Sequence, residues 1–132
     1  MARADRLAAR RTRGSAARIA GRRQEILAAL LLMAKGYRIL GFRLKTPAGE
    51  IDLLAKRGDV LVVAEVKSRA RLEDALEAVS PAQRARLKRA GQAIASRRPG
   101  LAGVTVRLDL IALAPGAWPR HIADAWREDF VS

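Results

Sequence analysis

The clearest pattern in the chain is a pair of apolar runs that meet at Gly58-Asp59. Before the pair, Ile51, Leu53, Leu54 and Ala55 alternate with or adjoin charged residues; after it, Val60 to Ala64 is almost continuously apolar. Gly-Asp between two such runs is turn chemistry, so a β-hairpin is predicted from about Glu50 to Lys67. With Gly58 and Asp59 as the two central turn residues, Arg57 faces Val60 and every further pair also sums to 117 in residue number. Asp52 then lies opposite Glu65, and Glu50 opposite Lys67, all four on one face by the two-residue strand period. The other face holds Ile51, Leu53, Val62, Ala64 and Val66 and is purely apolar. The dense run after the turn predicts a central strand.

The rest of the pattern frames this hairpin. Residues 16–35 read as a helix; almost every position from Ile26 to Ala34 is apolar, which predicts burial on most sides. Gly36 is a stop signal. Tyr37 to Leu44 reads as a first strand, followed by a Thr-Pro-Ala-Gly turn. A short helical stretch covers about Leu72 to Val79. Ser80 and Pro81 then open a longer helix, with Gln83 at capping-box spacing. Leu87, Ala90 and Ile94 form its apolar stripe; Arg84, Arg86, Lys88, Arg89, Arg97 and Arg98 make the remainder basic. Pro99-Gly100 ends it. Val104 to Leu113 alternates as a strand, and a last segment carries His121 and Trp126. Helix, three strands, helices, strand implies one α/β domain over residues 16–132, with a central mixed sheet of four to five strands flanked by helices. Residues 1–15 hold five arginines against Asp5 and read as a basic, disordered N-terminal arm.

Composition narrows the chemistry. The 132 residues contain no cysteine and one histidine, which excludes disulfides, thiolate metal sites and multi-histidine sites within one chain. No apolar run is long enough to span a bilayer, so no membrane role is expected, and with no secretory signal the default location is the cytoplasm. Twenty-six basic residues against 13 acidic ones give a net charge of +13. A GC-rich coding bias accounts for arginine over lysine but not for the surplus of positive charge. That surplus points to nucleic acid as the first candidate partner, with an anionic membrane surface as the alternative polyanion.

The hairpin charges then need a physical account. Two carboxylates ~5 Å apart at an effective dielectric near 20 repel by about 3 kcal/mol, and directly opposed like charges destabilise a sheet. A shared proton, a cationic side chain such as Lys67, or a metal ion would offset this. Hard oxygen donors without cysteine favour Mg²⁺ or Mn²⁺ over Zn²⁺. The bland alternative is a solvated strand face with a Glu50–Lys67 ion pair. Other residues have ordinary readings too: Glu25 a helix acid beside Arg22 and Arg23, Gln83 the capping partner of Ser80, Asp109 the partner of an arginine, His121 a packed or surface side chain.

At "GEIDLLA" (Gly49 to Ala55) and "VVAEVKSR" (Val62 to Arg69) the sequence resembles the YraN family (UPF0102). That family is assigned to the PD-(D/E)xK nuclease superfamily, near the archaeal Holliday-junction resolvases. The likeness extends from about Gly21 to Trp126 through "GRRQEILAALLLMAKGYRIL", "EAVSPAQRARLKRA", "VRLDLIAL" and "HIADAW". It implies a restriction-endonuclease-like fold and a metal-dependent endonuclease acting on DNA, with branched or flapped DNA as a candidate substrate. The alternative is a non-catalytic nucleic-acid-binding protein that kept the fold. Residue by residue, it implies Asp52 and Glu65 as metal ligands with the Val66 carbonyl, Lys67 as the cation at the attacking hydroxide or scissile phosphate, and Glu25 as a helix glutamate of the catalytic set. Glu50 and Gln83 would support the site. Arg22, Arg43, Lys45, Arg69 and Arg84 are candidate nucleic-acid contacts. Resolvase relatives dimerise, so a homodimer is expected by analogy. The sequence departs from the family pattern at Ile51, where the superfamily has proline, at Gln24 (glycine), Arg43 (asparagine) and Gln83 (lysine).

Overall fold

The structure is a computed structural model that describes residues 22–127. The predicted basic arm and the start of the predicted first helix lie outside that range. Helix α1 (residues 22–34) ends where Gly36 takes φ 90°. Its last carbonyls are capped by Gly36 N donating to Met33 O and Tyr37 N donating to Leu32 O, both at 3.0 Å. This is a Schellman closure, and glycine supplies the positive φ it requires. Then come β1 (Arg38–Thr46), β2 (Gly49–Arg57), β3 (Val60–Ser68), α2 (Leu72–Glu77), α3 (Pro81–Arg97), a 3₁₀ turn at Pro99–Leu101, β4 (Thr105–Leu113) and β5 (Arg120–Ile122).

The strands form one five-stranded sheet in the order β1-β2-β3-β4-β5. Only β3–β4 is parallel; the other neighbours are antiparallel. The intervening α2–α3 crossover makes that parallel pair possible, since strands running the same way need a long connection. The chain is thus α/β, with a mixed sheet flanked by helices, consistent with a restriction-endonuclease-like fold. Among the described residues no helix is long and apolar enough to cross a membrane.

The hairpin turn falls at Gly58-Asp59, and Gly58 alone of the two has positive φ, 60°. Glycine at the first central position matches a type II′ turn. The register follows as expected from Arg57↔Val60 to Leu53↔Ala64. Strand β3 is central, with Leu61 to Ala64 fully buried because both faces of the sheet are covered. On one face α1 lays Ala28, Ala29 and Leu32 against Leu53, Ala55, Val62, Ala64 and Ile111. On the other, Leu87 and Ala90 of α3 pack on Leu54, Leu61 and Val63. Gly91 is buried in this second contact, and a Cβ there would come within 2.7 Å of Val63 Cγ2 and 2.9 Å of Val106 Cγ1. Ser80 caps α3 by accepting from Gln83 N at 3.1 Å.

The expectation that α1 is buried on most sides is corrected. Ile26, Leu27, Leu30 and Met33 are each about half exposed. Among the described residues, the helix lies on one sheet face and packs through its Ala28, Ala29 and Leu32 side.

On the α1 face, the sheet also carries a buried polar knot. Asp109, fully buried, accepts from Arg107 Nε and Nη2, both at 2.8 Å, from His121 Nε2 at 2.7 Å and from Asp124 N at 3.0 Å. Burial alone would raise the Asp109 pKa, but its hydrogen bonds to Arg107, His121 and Asp124 outweigh this and lower it. Arg107 also donates to Tyr37 Oη at 2.7 Å, and Lys35 Nζ donates to His121 Nδ1 at 3.0 Å. The structural reading of Asp109 and the packed reading of His121 both hold. The knot fastens β4 and β5 to the α1–β1 connection.

Candidate active site

The β2–β3 ladder ends at Leu53↔Ala64, one pair short of the acids. The expected strand pairs Asp52–Glu65 and Glu50–Lys67 are therefore not part of the ladder. The cause is the Asp52 side chain itself, whose Oδ2 accepts from Val66 N at 3.0 Å and replaces a strand partner there. The side chains nevertheless converge as the strand period requires. Glu50, Asp52, Glu65 and Lys67 line one cleft of about 280 Å³ between the hairpin and α3. Ala48, Gly49, Gln83, Arg86 and Leu87 complete its wall. The basic and polar wall residues come from the first turns of α3, which Ser80 and Pro81 start at this end of the sheet.

Glu65 is 2% exposed. Burial, then a hydrogen bond with Asp52, then the Asp52 charge push its pKa up to about 9, although Lys67 pulls the other way. A raised Glu65 pKa favours the neutral acid beside Asp52, and a proton between the two is one of the three ways to relieve their repulsion. The solvated-strand alternative does not describe this pair, since one acid is buried and bonded to the other.

Both Glu25 oxygens, at 2.7 and 2.9 Å, accept from the single atom Arg43 Nε. Glu25 is thus placed on Arg43 and is not among the cleft-lining residues. Arg43 has φ 48° inside a strand, a conformation that costs a non-glycine residue on the order of 1–3 kcal/mol. It lies between the pairs Phe42↔Leu53 and Leu44↔Ile51, which sets it beside Asp52.

The other predicted contacts spread out. Lys45 is exposed and pairs in register with Glu50 at the cleft's edge. Arg22 is exposed on α1. Arg69 is exposed and donates to Ser68 O at 2.7 Å. Arg84 turns away from the cleft and stacks over the Trp126 ring, 5.7 Å from its centroid. The residue missed on α3 is Arg86, which does line the cleft. Helical spacing would have found it, because Arg86 is three positions after Gln83 and shares its face. Gln83 donates its backbone N–H to Ser80 Oγ, which is the Ser80 half of a capping box, and the residue lines the cleft.

Among the described residues no three acidic, histidine or cysteine side chains converge as a metal-binding group. The donor set is two carboxylates and the neighbouring backbone. That fits a hexacoordinate hard ion such as Mg²⁺, which takes one or two protein carboxylates and completes its shell with water and substrate phosphate. It does not fit Zn²⁺.

The model of the family described as "Uncharacterised protein family UPF0102" matches residues 24–113, a span that contains every cleft residue. A UPF0102 protein of Caulobacter vibrioides is 66% identical over 117 residues, covering 89% of this chain and 94% of its own. One from Caulobacter sp. strain K31 is 66% identical over 124 residues, covering 94% and 89%. One from Parvibaculum lavamentivorans is 51% identical over 114 residues, 86% of each.

Proposed function

This chain belongs to the UPF0102 family, and we propose that it is a metal-dependent endonuclease-like protein of the PD-(D/E)xK kind that hydrolyses DNA phosphodiester bonds, on branched or flapped DNA. The observation that carries this reading is the Asp52–Glu65 pair: two acids from adjacent strands held within hydrogen-bonding reach in a cleft that also contains Lys67. A purely binding protein gains nothing from placing two carboxylates together where a polyanion must approach.

Asp52 and Glu65, with the Val66 carbonyl, would hold Mg²⁺ or Mn²⁺. The ion would act as a Lewis acid on a phosphate oxygen and lower the pKa of a bound water. The chain's own residues do the rest. Val66 N fixes the Asp52 carboxylate in orientation. A neutral Glu65 would give up its proton on becoming a ligand, so metal binding would be coupled to proton release. Lys67 sets a positive charge on the same face, where negative charge grows on the phosphorane. Gln83 and Arg86 supply donors from the opposite wall, and basic residues around the cleft hold the backbone without reading sequence.

A non-catalytic nucleic-acid-binding protein is the second reading, favoured by the finding that, among the described residues, the acids of the cleft do not come together as a metal-binding group of three. A nicking assay separates the two, using flapped and Holliday-junction DNA with Mg²⁺ or Mn²⁺. The nuclease reading expects cleavage by the wild type and its loss in Asp52→Asn. Cleavage that survives Asp52→Asn would overturn the assignment.

A further inference from the structure

We propose that Arg43 is a contact for a single backbone phosphate beside the cleft, and that Glu25 is the positioning residue that aims it. The proposal rests on reading the Asp52–Glu65 cleft as a phosphodiester site. Three independent observations lead to it.

The first is how the pair is made. Both Glu25 oxygens converge on Arg43 Nε, at 2.7 and 2.9 Å. A carboxylate that only neutralised an arginine would more commonly engage two of its nitrogens in a fork. Here the anchor uses one N–H, and among the described residues neither Nη atom has a hydrogen-bond acceptor. The four outer N–H groups are the ones that match a phosphate's non-bridging oxygens.

The second is the backbone. Arg43 takes φ 48° in β1, within the part of the strand from Gly41 to Thr46 whose register with β2 is constant. A long side chain in that conformation persists only when its surroundings hold it, and such positions concentrate at functional sites. The neighbouring irregularity in β1, between Ile39 and Gly41, further re-aims this edge strand.

The third is place and solvation. Arg43 lies alongside Asp52 and interacts electrostatically with Glu50 and Asp52 as well as with Glu25. The Glu25 side chain is 13% exposed and that of Arg43 34%. The anchor is sheltered while the guanidinium reaches solvent. A tie that merely fastens α1 to β1 would explain the bond, but not the strained backbone or the open end of the fork.

The experiment uses full-length protein and a fluorescent flapped duplex in metal-free buffer, so that binding is read apart from cleavage. Arg43→Ala is expected to weaken binding about tenfold and to lower the slope of log K against log salt by about one, the signature of one lost phosphate contact. Arg43→Lys should keep the slope but recover only part of the affinity, since an ammonium carries the charge without the fork. Glu25→Gln should weaken binding in the wild-type background and change nothing in the Arg43→Ala background. A scan of single methylphosphonate substitutions should reveal one position that costs the wild type affinity and leaves Arg43→Ala unaffected. An unchanged salt slope, or no such position, would overturn the phosphate contact. Tighter binding by Glu25→Gln in both backgrounds would show Glu25 to be only a repelling charge and would overturn its positioning role. Failure of the wild type to cleave DNA with Mg²⁺ or Mn²⁺ would sink the nuclease reading while leaving these binding results to stand or fall separately.

Discussion

Two buried acids show how environment, rather than residue type, decides what a carboxyl group does in this molecule. Asp109 meets three side-chain donor atoms and a backbone amide, and its pKa is lowered. Glu65 meets another acid, and its pKa is raised to about 9. Opposite pH dependences follow. A carboxyl with a lowered folded-state pKa stabilises above its unfolded value, and that contribution disappears as pH falls through the folded one. One with a raised pKa stabilises fully below its unfolded value near 4.5, and its contribution is lost as pH rises toward about 9. Glu65→Gln keeps the neutral shape, so it should flatten the decline in stability between these limits, by up to roughly 1 kcal/mol per pH unit. Urea unfolding of both proteins at pH 5, 7 and 9 measures this; parallel curves would refute a protonated Glu65. Asp109→Asn should behave quite differently. It leaves the partly buried Arg107 against an uncharged partner, and a loss of about 3 kcal/mol, the low end for breaking a buried pair, is expected in the same titration at pH 7.

At the scale of elements, α1 and α3 cover opposite faces of one sheet and are not equally committed to it. Leu32→Ala should cost about 2–5 kcal/mol, because Leu32 is fully buried in the core with Leu53 and Val62. Leu30→Gln on the same helix should stay within about 0.5 kcal/mol, because that side is open. Gly91→Ala inverts the usual helix preference: alanine is the better helix former, yet its methyl would strike Val63 and Val106, and a loss of about 1–3 kcal/mol is expected. Thermal unfolding of the three variants checks all of these together. The same elements show what was readable beforehand. The hairpin, its register and the face shared by Glu50, Asp52, Glu65 and Lys67 were legible because a two-residue turn and a two-residue period are local rules. The opening of the ladder was not legible, since it depends on an Asp52 rotamer that finds the Val66 amide. Neither was the Glu25–Arg43 bond, which joins residues 18 apart, nor the Arg107–Tyr37 bond, which joins residues 70 apart. The apolar run in α1 misled because sequence shows how much grease a helix carries, but not how many neighbours it has. Gly91 gave no signal because its reason is a close approach from other strands.

For the whole molecule, the question is how a chain of net charge +13 keeps an acidic cleft at its centre. Positive charge around the cleft brings a polyanion near, but the same field disfavours a free cation, and the raised pKa of Glu65 favours its neutral form. On the proposed metal reading, an ion taken up by Asp52 and Glu65 would have to displace the proton of the neutral Glu65. Metal affinity should therefore rise with pH below about 9, in contrast to the ion-free protein, whose Glu65 contribution weakens over the same range. Ligand binding to the folded state alone stabilises by RT ln(1 + [L]/Kd), so the two effects can be read from one observable. Melting curves of the wild type with and without Mn²⁺, at pH 6 and pH 8.5, should show a larger metal-induced rise in Tm at the higher pH. Asp52→Asn should show little rise at either pH. Glu65→Gln should likewise show little rise at either pH, because it removes the second carboxylate ligand and its titrating proton together. An equal Mn²⁺ effect in wild type and Asp52→Asn would mean that the ion binds elsewhere, and the paired acids would then be a structural feature of the sheet rather than a metal site.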